Sequence, residues 1–279
     1  MTTMTMDGAT VTGRSRRLSV RMFCLVFLAV LVAVAVLAPL LAPYPPEQQD
    51  VLSANLGRSG GHLLGTDALG RDLFSLIVYG ARLSLIGPAL VVAGATLLGV
   101  TLALTASWFG GRVDTVISRL CDVLMAFPSL LLAVLAVAVL GTGFGAPLIA
   151  LTIAYAPFMT RAIRSIAIRE RNLPYIEACQ MAGFSVWRIT TRHLLPNVRS
   201  LIVSQGSFMF GSAMVDLAAL SFIGLGVQPP RTEWGLLMSQ SRSALLNGQP
   251  LGTLVPGLLI VGVVIAVNLL GASLHKDKS

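Results

Sequence analysis

The sequence predicts an all-α, polytopic membrane protein of about six transmembrane helices, with one large polar loop set between two of them. Three observations carry this reading. Of 279 residues, 55% are hydrophobic and only 11% charged, with a mean hydropathy of +0.81, which is more apolar surface than one soluble core can hide. Runs of about 20 apolar residues recur, each long enough to cross ~30 Å of hydrocarbon as a helix. Lys and Arg are also distributed unevenly between the segments that join those runs.

The apolar runs fall at 22–42, 84–108, 116–140, 147–165, 199–223 and 251–272. Arg14, Arg16, Arg17 and Arg21 precede the first, and Ala33-Val34-Ala35 resembles a signal-peptide cleavage site. The run is too long for a signal peptide and further spans follow, so it reads as an uncleaved anchor behind a tail, 1–21, whose polar first thirteen residues are expected to lack structure. A segment at 43–83 separates the first two spans. Pro157 interrupts the fourth, with Arg161 and Arg164 at its end, a pattern tolerated where neighbouring helices satisfy the freed carbonyls. The polar loop occupies 166–198, and 273–279 forms a second tail.

Basic residues set the expected orientation. With the N-terminus inside, the inner segments hold Arg14, Arg16, Arg17, Arg21, Arg112, Arg119, Arg161, Arg164, Arg169, Arg171, Arg188, Arg192, Arg199, Lys276 and Lys278; the outer ones hold Arg58, Arg71, Arg82, Arg231 and Arg242. Both termini and the 166–198 loop are then cytoplasmic. The net charge of +8 follows from this topology, with some attraction to anionic membrane lipid, and needs no nucleic acid to explain it.

Several chemistries are disfavoured. Cys24, Cys121 and Cys179 are too scattered for a zinc site or a disulfide scaffold and are expected as free thiols. His62, His193 and His275 lie in different segments without metal-pair or nucleophile-base spacing, so neither a metal site nor catalysis is expected, and His193 reads as a helix-end residue packing locally. Lys276 and Lys278 are the only lysines and neither stands in a phosphate-binding Gly-Lys-Ser/Thr loop. The chain itself is expected to bind no cofactor.

The loop is the most informative segment. Pro174 pre-sets a helical start and Gly183 can take the left-handed turn that stops one, which predicts a two-turn helix over 174–182. Ser185 offers a cap for a second helix, and Pro196 is expected to break that helix before the fifth span. Ala178, Cys179 and Ala182 are small enough for another backbone to approach, and Glu177 supplies a charge to fix docking register. Arg188 and Arg192, one turn apart, suit acidic residues or lipid phosphates.

The order Glu177-Ala178-Cys179, three residues, Gly183, then Leu195-Pro196 resembles the EAA loop of binding-protein-dependent ABC importer permeases, with Cys179 where a second Ala is usual and His193 where Ile is frequent. The ending His193-Leu-Leu-Pro-Asn197 is similar to the peptide and nickel branch. Between the first two spans, Leu64-Gly65-Thr66-Asp67-Ala-Leu-Gly70-Arg71-Asp72 resembles a hallmark of the C-type permease of dipeptide and oligopeptide importers. Gly65 and Gly70 permit tight turns, and Asp67, Arg71 and Asp72 can pair to hold them; that turn can be a structural cap or a site of direct contact with cargo. Leu220-Ser-Phe-Ile-Gly-Leu-Gly226, Pro229-Pro230 and Trp234-Gly235 are again similar to this family, with Trp234 expected at the membrane interface. Leu217 stands where the family often has Glu, and Ala272 where an acidic residue is usual.

The resemblance implies a permease subunit that pairs with a homologous permease. Separate ATP-binding subunits would hold ATP and Mg and grip the 174–197 loop as a coupling helix, while an external substrate-binding protein delivers cargo to the paired permeases, all at a bacterial inner membrane. Asp216, an acid deep within the fifth span beside Met209 and Met214, is a candidate for the substrate path, where it could meet a peptide's ammonium group; a bond to a neighbouring helix is the alternative. A nickel or metal-complex importer of the same family remains open. An ion-coupled carrier with Asp216 as proton relay is disfavoured, because no paired broken helices in two related halves are visible.

Overall fold

The computed structural model describes residues 9–276, in backbone only at 9–19 and 274–276; the outermost residues of both expected tails, with Lys278, lie outside the described residues. Twelve α-helices appear among the described residues, with no strand beyond a single Thr66–Asp72 bridge. They are α1 (Ala9–Val36), α2 (Ala38–Leu41), α3 (Leu73–Phe109), α4 (Gly111–Met125), α5 (Ser129–Leu140), α6 (Gly145–Arg171), α7 (Pro174–Met181), α8 (Val186–Ile189), α9 (Leu195–Phe222), α10 (Trp234–Gln240), α11 (Arg242–Leu246) and α12 (Leu251–Lys276).

The spans, about six by the sequence, differ in form among the described residues. Among the described residues, four helical stretches are long and apolar enough to cross a membrane: Leu73–Phe109, Gly145–Arg171, Val186–Phe222 and Leu251–Ser273. The first expected span lies in α1, a helix of 28 residues from Ala9 to Val36, followed after Leu37 by α2. Its helix begins at Ala9, so residues 9–13 are not the unstructured tail expected.

The third expected span is two helices, α4 and α5, bent by 86°. Pro128 explains the break, because the residue before a proline is pushed out of the helical region. The α4 half carries Arg112, Asp114, Arg119 and Asp122 and buries only Ile117 and Cys121. Its acids pair with α6: Asp114 with Arg164 and Asp122 with Arg161. The two arginines that seemed to end the fourth span therefore sit inside a longer helix, held by partners on α4. The helix α6 runs unbroken through Pro157 and is the most enclosed of the long helices.

Two core clusters hold the bundle. One packs Val91, Leu151, Met159, Ile163, Met209 and Leu220 between α3, α6 and α9. The other packs Leu31, Leu76, Met214, Trp234, Leu237 and Val263 where α1, α3, α9, α10 and α12 meet. Trp234 is fully buried rather than interfacial. Its ring nitrogen donates to the Ile77 carbonyl at 2.9 Å, which satisfies the one polar atom that would otherwise have drawn it to the interface. Arg82 donates to the carbonyls of Ala35 and Val36 and so caps the open end of α1.

The helix α3 starts at Leu73, well before the expected 84, because Asp72 caps it: the carboxylate accepts from the Ser75 amide at 2.8 Å. Its 37 residues span about 55 Å. At its far end the Ser107 carbonyl accepts from Arg171, which also lies over the Trp108 ring. The polar loop after α6 thus leaves the bundle at the opposite end from the 65–72 turn.

Candidate functional site

The loop folds as the sequence proposes, apart from its exit. Pro174 occupies the first turn of α7, whose eight residues end in a two-bond C-terminal cap. The Gly183 amide donates to the Gln180 carbonyl at 3.0 Å and the Phe184 amide to the Cys179 carbonyl at 3.1 Å. This cap needs a left-handed residue, and Gly183 supplies it with φ +74°. Ser185 caps α8, its hydroxyl accepting from the Arg188 amide.

Pro196 does not break the chain, contrary to expectation. A π-helical turn over Thr190–Leu194 joins α8 to α9 as one continuous helical stretch. Pro196 falls in the first turn of α9. A proline cannot accept the usual bonding pattern four residues back, and the wider π turn placed just ahead of it absorbs that mismatch.

The resulting hook is seated by Ile176, Ile189, Leu194 and Val198, all fully buried. A polar clasp ties its base to both flanking helices. Glu170 of α6 accepts from the Tyr175 hydroxyl at 2.9 Å and from the Asn197 side-chain amide at 3.3 Å, and Asn197 also reaches the Tyr175 oxygen at 3.3 Å. Burial, with Glu170 beside it, pushes the Tyr175 phenol above its ordinary value, so it stays a donor. His193 is half-buried with its ring 6.2 Å from that of Tyr175, packing locally as expected.

The tip is the reverse. Glu177, Ala178, Ala182 and Gly183 are exposed, Arg192 and Pro196 too, while Cys179 and Leu195 are half-buried. Arg188 folds its guanidinium over the Phe184 ring, 4.3 Å from the centroid. Two apolar side chains that the sequence reading passed over stand out from the surface here: Met181 is 86% exposed and Trp187 77%. The signal was available, since neither fits the buried positions of a two-turn helix, but it was hidden by the weight given to the small residues.

The 65–72 turn is closed instead of open. Asp67, Arg71 and Asp72 are buried. Asp67 accepts from the Leu69 and Arg71 amides and pairs with the Arg71 guanidinium at 2.6 Å. Arg71 also donates to Gln240 of α10. Asp72 binds His62 Nδ1 at 3.0 Å besides capping α3. The Thr66 hydroxyl donates to the Ser53 carbonyl and accepts from the Leu56 amide. Gly65 and Gly70 both have positive φ. Every charged side chain in the turn has a partner inside the protein.

Beside this end, Glu233 caps α10, its carboxylate accepting from the Leu236 amide and the Ser84 hydroxyl. Burial pushes this carboxyl above the ordinary range, against the opposing pull of the Gly235 amide, the Ser221 hydroxyl and those same donors. The Pro229–Pro230 peptide is cis. In the fifth span Asp216 is half-buried and accepts from Ser129 of α5 at 2.8 Å and Tyr155 of α6 at 2.9 Å. Met209 and Met214 are buried within the protein, one in each of the two larger core clusters. Leu217, where an acid was usual, also belongs to the core. Cys24, Cys121 and Cys179 are free thiols.

Residues 95–278 match the family of binding-protein-dependent transport system inner membrane components, and residues 14–57 the N-terminal transmembrane domain of oligopeptide transport permease C. The chain is 42% identical over 219 residues to a dipeptide transport system permease protein of Alkalihalophilus pseudofirmus, covering 78% of this chain and 72% of that one. It is 40% identical over 234 residues to a glutathione transport system permease protein of Pectobacterium atrosepticum, covering 84% and 77%. A di/tripeptide transport system permease protein of Pseudomonas aeruginosa is 40% identical over 239 residues, covering 84% and 78%. The fold is similar to that of a chain in an inward-facing structure of the MetNI methionine ABC transporter, with a TM-score of 0.59 at 18% identity over 74% of this chain and 98% of that one. With its hook, its 65–72 turn and its helical bundle, the chain belongs to the binding-protein-dependent transport permeases, among the C-type permeases of peptide ABC importers, as a membrane subunit and not the ATPase.

Proposed function

We propose that this permease carries di- or oligopeptides inward as one half of a channel, and that ATP hydrolysis by separate subunits drives it through the hook formed by the 174–197 loop. One observation carries the reading: a hook whose base is buried and clasped presents Glu177, small residues and two exposed apolar side chains that no other described residue covers. Exposed Met and Trp at a tip suit anchoring in a partner's pocket. The clasp on Glu170 joins α7 to α6 and α9, so a displacement of the tip passes to two membrane helices at once.

The partners that complete this account are a homologous second permease, two ATP-binding subunits carrying ATP and Mg, and an external protein that delivers cargo. The excess of Arg around the hook supports placing it, and both termini, in the cytoplasm. The names of the relatives support peptides over metal complexes as the cargo. In the reconstituted complex, Glu177→Arg or Gly183→Pro is expected to insert normally yet lose the stimulation of ATP hydrolysis by loaded binding protein. Full stimulation in both variants would remove the hook from the coupling path.

A further inference from the structure

We infer that Asp216 is a way-station for the ammonium group of the cargo as it crosses the membrane, an inference that rests on the peptide reading above. Asp216 is the only carboxylate in the middle of the long helices; Glu170 lies at the end of α6 and takes part in the clasp. Both of its hydrogen bonds fall on one oxygen, Oδ2, which takes the Ser129 and Tyr155 hydroxyls. Among the described residues, Oδ1 carries no hydrogen bond and no cation pairs with the group. Nor is Oδ1 sealed in, because Ser118 Oγ is the one enclosed side-chain polar atom without a partner among the described residues. Oδ1 is therefore reachable from outside the protein.

An unpaired carboxylate oxygen at this depth costs several kcal/mol against lipid and is stable facing water, a polar partner or a cation. Among the described residues neither a polar partner nor a cation meets Oδ1, which leaves water or an incoming cation. Ser129 begins α5 immediately after the 86° bend, so the carboxylate lies at the break in the bent pair. Tyr155 from α6 and Ser129 from α5 fix Oδ2 and leave the remaining oxygen without a partner among the described residues. A fixed, half-buried, singly satisfied carboxylate with no resident cation accepts a primary ammonium group, which offers three donors and the opposite charge. Every peptide with a free N-terminus carries one.

The same bonds could serve only to latch α5 onto α6 and α9, and the test separates the two roles. The assembled complex in proteoliposomes, with ATP inside, binding protein outside and labelled dialanine as cargo, gives an initial uptake rate per assembled complex. Asp216→Asn keeps an oxygen that accepts from Ser129 and Tyr155 but removes the charge, and it is expected to slow uptake about tenfold, with Asp216→Glu recovering most of the rate. Tyr155→Phe, which weakens the latch and leaves the charge, is expected to cost less than Asp216→Asn. Uptake by Asp216→Asn within about twofold of the unaltered complex, or a Tyr155→Phe loss as large as that of Asp216→Asn, overturns the way-station. If the unaltered complex hydrolyses ATP but takes up no dialanine or any longer peptide, the peptide reading falls and the way-station with it.

Discussion

Two polar turns at opposite ends of the molecule carry most of its family resemblance, and they are built on opposite principles. The 65–72 turn turns every charge inward: Asp67 and Arg71 pair at 5% and 6% side-chain exposure, and Asp72 holds His62 and the start of α3. The 174–197 hook turns its chemistry outward, with Met181 and Trp187 exposed and Glu177 unshielded. The glycines repeat the contrast. A Cβ at Gly70 would lie 1.7 Å from the Asp50 carbonyl oxygen, whereas at Gly183 it would meet nothing within 4 Å. A recurrent motif therefore does not announce its own role. Where its polar groups are satisfied within the chain it is a structural clamp, and where they are left open it is a surface for a partner.

That contrast can be broken by substitution. Gly70→Ala combines a forbidden contact with φ +73°, and is expected to cost more than about 3 kcal/mol or to prevent accumulation of folded protein, read by thermal unfolding in detergent. Asp67→Ala leaves Arg71 buried and unpaired, for an expected loss of about 3–5 kcal/mol by the same measurement. A cost below about 1 kcal/mol there would mean that the turn is not a clamp.

The buried end should also respond to pH. Glu233 has a raised pKa when folded, so across the window above the ordinary 4.5 the folded chain holds a proton that the unfolded chain has lost. Its contribution is therefore greatest on the acid side and declines as pH rises through the folded value. Glu233→Gln should flatten that part of the stability profile; an unchanged slope would show that Glu233 is not its source.

The smallest effects belong to the hook. Gly183→Ala is expected to cost only the left-handed backbone strain, about 1 kcal/mol, and Ser185→Ala a similar amount for the lost cap. A larger loss at Gly183 than at Gly70 would invert the comparison.

The sequence revealed these ends unequally. The hook was legible almost residue by residue, because Pro174, Gly183 and Ser185 act through local backbone rules. Pro196 misled, since its cost depends on the turn before it, and a π turn has no sequence signature comparable to a proline. The bend at Pro128 was hidden in a run judged by length alone, although Asp114 stood just before that run and Asp122 within it. Their pairing with Arg164 and Arg161 links separate helices and could not be read from spacing. The same holds for Trp234, whose burial depends on a carbonyl of α3, and for Asp216, whose partners come from α5 and α6.

The central claim is that the hook is gripped and moved by another subunit, and its tip offers the most direct measurement. The double variant Met181→Asp with Trp187→Asp alters only exposed side chains, so its unfolding should stay within about 0.5 kcal/mol of the unaltered chain. Purified through a tag on this permease, the unaltered chain should bring its ATP-binding subunits with it and the double variant should not. Equal recovery of those subunits with both chains would contradict the account.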